Sequence, residues 1–92
     1  MTATELLNKV KTALGISGDY QDETLQIYID DVKAFMRDAG VLQAVIDSPV
    51  SVGCIVRGVA DLWNYGSGTA QLSEYFNQRA IQLSMLKAED IS

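Results

Sequence analysis

Three times along this sequence, apolar residues recur at every third or fourth position and the run then stops at a glycine, a pattern that restricts the chain to helices packed on helices. The first run is Leu6, Leu7, Val10 and Leu14, closed by Gly15 with Ile16 behind it. Glycine takes the left-handed conformation after a last helical turn at little steric cost, and an apolar residue beyond it often folds back onto that turn. The second run is Leu25, Tyr28, Ile29, Val32, Phe35, Met36 and Ala39, closed by Gly40. In the third, from Val50 to Tyr65, the residues Val52, Ile55, Val56, Val59, Ala60, Leu62 and Trp63 cover more than one stripe. That predicts a central helix buried on several sides, ended by Gly66-Ser67-Gly68.

The helix starts are marked as clearly as the stops. Thr2 with Glu5 forms a capping box, with Thr4 as a competing cap. Asp19, followed by Asp22 and Glu23, is placed to cap a second helix of about 20 residues and about 30 Å. Val41–Asp47 reads as one or two helical turns, and Ser48-Pro49 restarts a long helix. Gly53 and Gly58 each cost about 1 kcal/mol against alanine within that helix, which points to another backbone lying close to them. Ser73 with Glu74 opens a final short helix carrying Tyr75, Phe76 and Arg79. Beyond it two readings stay open: alternation of Ile81, Leu83 and Met85 gives an extended arm, whereas Phe76, Ala80, Leu83 and Leu86 continue the helix. Residues 88–92 are expected to fray. The expected fold is all-α, a small bundle of three long helices plus one or two short ones, in one domain over residues 1–92 with 73–92 as a candidate interaction arm.

Histidine is absent, which removes the commonest general base at neutral pH, the Ser-His and Cys-His pairs and most zinc sites. Cys54 has Val50, Ser51, Arg57 and Gly58 as its helical neighbours and reads as an inert, partly buried thiol. Among the carboxylates Asp30, Asp31, Asp38, Asp47 and Asp61, adjacent ones on a helix diverge by about 100°, so a solvated face explains them better than a catalytic pair. The Asp19, Asp22, Glu23 spacing does not meet the calcium-loop pattern, and Gly66-Ser67-Gly68 lacks the lysine of a phosphate-binding loop. Trp63 and Tyr65 have the residue types of interface anchors, though Trp63 lies on the core helix. No catalytic residue, metal site or cofactor is expected.

A net charge of −5, with only seven Lys and Arg, disfavours binding to phosphate backbones and to anionic membrane surfaces. One cysteine allows no intrachain disulfide, the N-terminal residues MTATELLNKVK do not read as a secretory signal, and Val50–Trp63 is too short and too charged to span a bilayer. An intracellular setting and binding to other proteins are expected.

Four segments in order carry a resemblance: LLNKVKTALGISGDYQDETLQIYIDDVKAFM, the Gly40-Val41 stop, the Ser-Pro helix running to DLWNYG, and LSEYFNQRAIQLSM. Together they resemble the head-tail connector, or adaptor, proteins of tailed bacteriophages and prophages, over about residues 5–86. The resemblance implies an all-helical virion subunit, without enzyme activity, that forms a ring beneath the portal protein, extends the DNA channel and docks a tail-completion or stopper protein. It implies about twelve copies, closed by rotation through unlike patches. Its place is the head-tail junction, with assembly in the host cytoplasm, and it has no sequence-specific nucleic-acid or membrane contact. The C-terminal segment commonly takes part in such contacts, which makes Tyr75, Phe76, Ile81, Leu83 and Met85 the interface candidates, unless some of them complete the core. The competing reading is a helical protein-binding adaptor or regulatory module unrelated to virions; a small enzyme is a third, without a convergent constellation to support it.

Overall fold

The computed structural model describes residues 1–65 and 72–91. Five α-helices follow one another: α1 (Ala3–Leu14), α2 (Asp22–Asp38), α3 (Gln43–Ile46), α4 (Val52–Tyr65) and α5 (Glu74–Ser84). Two 3-10 turns, Pro49–Ser51 and Ala88–Ile91, precede α4 and follow α5. There is no strand among the described residues, and the fold is all-α as the periodicity requires. The expected Gly66-Ser67-Gly68 stop lies outside the described residues.

Each helix forms for local reasons and is placed by its apolar stripe. The Thr2–Glu5 capping box is formed in both directions, and Gly15 closes α1 in the left-handed region at φ 72°. The Ile16 N–H then donates to the Lys11 carbonyl at 2.9 Å, while its side chain folds onto the core. Gly40, at φ 94°, closes the α2 end in the same way, with Val41 N–H donating to the Met36 carbonyl at 3.0 Å. The start of α2 differs from expectation. Asp19 does not cap it; its carbonyl accepts the Asp22 N–H in a turn, and the helix begins at Asp22 behind Gln21, which makes no side-chain cap. Asp22 and Glu23 stand in the first turn as expected, and Asp22 Oδ1 lies 2.7 Å from Lys11 Nζ, an ion pair that ties α1 to α2.

α4 is the central element, packed against α1, α2 and α5 at once. Cys54, Ile55, Val59 and Leu62 are buried on it, facing Leu6 and Val10 of α1, the Leu25–Ile29–Val32–Met36 stripe of α2, and Phe76, Ala80 and Leu83 of α5. Each aliphatic or aromatic side chain so covered contributes about 1.5–3 kcal/mol. The resulting body is a slab of 38 × 27 × 16 Å, about two helices thick. Short α3 and the Ser48-Pro49 turn feed the chain into α4, pinned by the buried Ser51 hydroxyl, which donates to the Ile46 carbonyl at 2.6 Å.

Three further expectations are corrected, and one open reading is decided. Gly58 is not approached by another backbone but by side chains: a Cβ there would lie 2.9 Å from Phe76 Cε2 and from both Val32 γ-carbons. Gly53 faces open space, so no contact explains it. Of the two readings left open for residues 81–84, the helical one holds, because Ala80 and Leu83 continue the buried stripe of Phe76. Past the helix, Ala88–Ile91 form a turn with Lys87 N–H donating to the Asp90 carboxylate at 2.8 Å, where fraying was expected.

Candidate interaction surface

α5 begins where α4 tells it to. Ser73 caps the helix through its Oγ, which accepts the Phe76 N–H at 3.2 Å. Its own N–H donates to Asp61 Oδ2 of α4 at 2.9 Å. Asp61 is buried, and its charge is balanced by Arg57 one turn earlier, with Nε 3.7 Å from Oδ1 and 3.4 Å from Ser73 Oγ. Phe76 drops into the notch at Gly58 just beyond this cap. Cap and notch together fix the rotation of α5 about its own axis, and hence which of its side chains face outward.

The five C-terminal candidates divide accordingly. Tyr75, Ile81 and Met85 are exposed, at 62%, 53% and 73% of their surface. Phe76 and Leu83 are fully enclosed against α4 and cannot meet a partner while α5 is docked, which removes them from the contact surface and assigns them to the core. The outward stripe holds Tyr75, Gln78, Arg79 and Gln82, which line a shallow depression. The Arg57 guanidinium lies 5.6 Å above the Tyr75 ring, so the depression has a cationic rim on an aromatic floor.

A second surface, on α2, went unmarked in the sequence reading. Ile27 and Phe35 are each 54% exposed, and Asp31 and Asp38 lie between and beyond them on the same outward stripe. Phe35 had been placed among the core residues of α2; three core positions at Ile29, Val32 and Met36 already fill that face, and Phe35 falls outside it. Ile27 was legible as an apolar residue on the side of α2 opposite its buried stripe. Trp63 is half-buried and meets Tyr28 edge to face, 6.5 Å between centroids, so it closes the α2–α4 seam. The side chain of Tyr65 lies outside the described residues.

The remaining reactive group is withdrawn from chemistry. Cys54 is buried with its thiol 4.0 Å from the Phe76 carbonyl, and burial pushes its pKa up to about 11, the Arg79 charge pulling weakly the other way. It stays a protonated thiol at neutral pH. Among the described residues no three potential metal ligands gather, and no helix is long and apolar enough to cross a membrane. Among the described residues the exposed apolar groups lie on helix surfaces.

Comparison with known proteins adds a family. A family model described as "Phage gp6-like head-tail connector protein" matches residues 4–85. No curated protein and no solved structure matches the chain.

Proposed function

Because the chain belongs to the family of phage gp6-like head-tail connector proteins, structural components of the virion, we propose that it is a ring subunit seated beneath the portal. In this reading the ring lengthens the DNA channel and offers its far side to a tail-completion protein, at the head-tail junction of a particle assembled in the host cytoplasm. The observation that carries the reading is the extent of the match. Residues 4–85 run from the first turn of α1 to the residue after α5, so the likeness covers the whole bundle rather than one motif.

The physical character of the subunit supports it. A slab 16 Å thick encloses a small core, and a chain of this size gains stability when its outer faces are covered by neighbours. A net charge of −5 keeps a channel wall from adhering to the phosphates that pass it. About twelve copies would close such a ring by rotation, each docking one patch onto a different patch of the next.

The test is to mix the protein with the portal protein of the same genome and examine the product by native mass spectrometry and electron microscopy. Rings stacked on the portal are expected. Persistent monomers with no portal association would overturn the ring reading and leave a connector-family subunit that acts without a ring.

A further inference from the structure

Resting on the ring reading, the geometry points to a specific contact between neighbouring copies: the outward stripe of α2 on one subunit, Ile27, Asp31, Phe35 and Asp38, seats on the outward stripe of α5 on the next, Tyr75, Arg79 and Met85.

The α2 stripe is built by helical spacing and left uncovered by the bundle, and the α5 face combines one exposed turn with the exposed helix end. On α2 the four positions fall at i, i+4, i+8 and i+11, facing away from the buried Leu25–Ile29–Val32–Met36 stripe. On α5, Tyr75 is exposed on the side away from Ala80, Arg79 follows it one turn on at the half-buried flank beside Leu83, and Met85 is exposed just past the helix end. Both therefore combine large exposed apolar groups with charge, the composition of a contact face rather than of a plain solvated one.

The charges choose the pairing. The α2 stripe carries Asp31 and Asp38; its helix's cations Lys33 and Arg37 lie on the flank, and Arg37 bonds to Gln43. The α5 stripe carries Arg79, with Arg57 stacked over Tyr75. Glu74 stands at its edge and already accepts a hydrogen bond from Gln78 Nε2 at 3.2 Å. Among the described residues, neither Asp31, Asp38 nor Arg79 has an ion-pair partner. A two-fold contact of either stripe with its own copy would set like charges against each other, whereas α2 on α5 sets acid against base. Unlike patches that fit each other give a head-to-tail contact, the kind that closes into a ring and not into a two-fold dimer. Apolar matching follows the same pairing, with Ile27 and Phe35 meeting Tyr75 and Met85.

Charge exchange tests it with the full chain. Asp31→Lys with Asp38→Lys is one variant, and Arg79→Glu is another; circular dichroism melts check that each folds. Self-association is read by sedimentation velocity, and ring assembly by electron microscopy on the portal. Each variant alone should associate about tenfold more weakly, the scale of one lost interfacial charge pair. Mixing the two should restore assembly, because every α2 then finds an α5 of opposite sign, and all three substitutions in one chain should restore it too. Wild-type rings that ignore the single variants, or no recovery on mixing, would overturn this contact and leave the ring reading standing. Loss of portal binding with self-association intact would assign the stripes to the portal and overturn it as well. A wild-type chain that assembles neither alone nor on the portal would overturn both.

Discussion

The N-terminal pair of helices and the C-terminal pair are fastened by different means. α1 and α2 are joined by a chain reversal at Gly15, a shared apolar seam and a partly exposed ion pair, Lys11–Asp22, with side chains 15% and 33% exposed. α5 is held on α4 by a buried carboxylate reaching across to the Ser73 N–H and by a ring seated in the space that Gly58 leaves empty. The first pair depends on short-range signals along the chain, the second on groups that meet only after folding. Loss of a buried, matched group costs more than loss of a surface one, so the C-terminal pair should be the more sensitive to single substitutions.

Three substitutions can break that contrast, in descending order of expected effect. Asp61→Ala removes the acceptor of the Ser73 N–H and the counter-charge of Arg57, and should lower unfolding stability by about 2 kcal/mol in urea denaturation. Gly58→Ala should cost about 1–2 kcal/mol: the 2.9 Å approach to Val32 and Phe76 forces repacking of enclosed side chains, offset in part by alanine's helix preference. Gly53→Ala in the same helix is the control, with open space around it and a gain of a few tenths of a kcal/mol. Lys11→Met should cost about 1 kcal/mol, less than Asp61→Ala, because the Asp22 side chain, 33% exposed, keeps part of its hydration when the lysine is lost. If Lys11→Met proves as costly as Asp61→Ala, the contrast between the two pairs fails.

What could be read in the sequence follows the same division. The Thr2–Glu5 box, the Gly15 and Gly40 stops, the Ser48-Pro49 restart and the Ser73 cap are local, and all of them form. The start of α2 was misplaced because Asp19 uses its backbone carbonyl in a turn to the Asp22 N–H, and the helix opens at Asp22 without a side-chain cap. The Asp61–Ser73 link and the partners of Gly58 were invisible for the same reason: spacing within one helix carries no information about which other helix arrives there. The C-terminal arm was ambiguous because Phe76, Ala80 and Leu83 fit a helix while Ile81, Leu83 and Met85 fit a strand; burial of the first set against α4 decides it. Of the contact surface, Tyr75, Ile81 and Met85 were legible as exposed apolar residues, while Phe35 required the filled face of α2 to be seen first.

The Asp61 carboxylate has one more consequence. It sets the starting point of α5 from α4 itself, twelve residues earlier in the chain, so the direction in which Tyr75 faces is tied to the helix that carries Asp61. Any rotation of α4 about its axis would be passed on to α5 through this one bond.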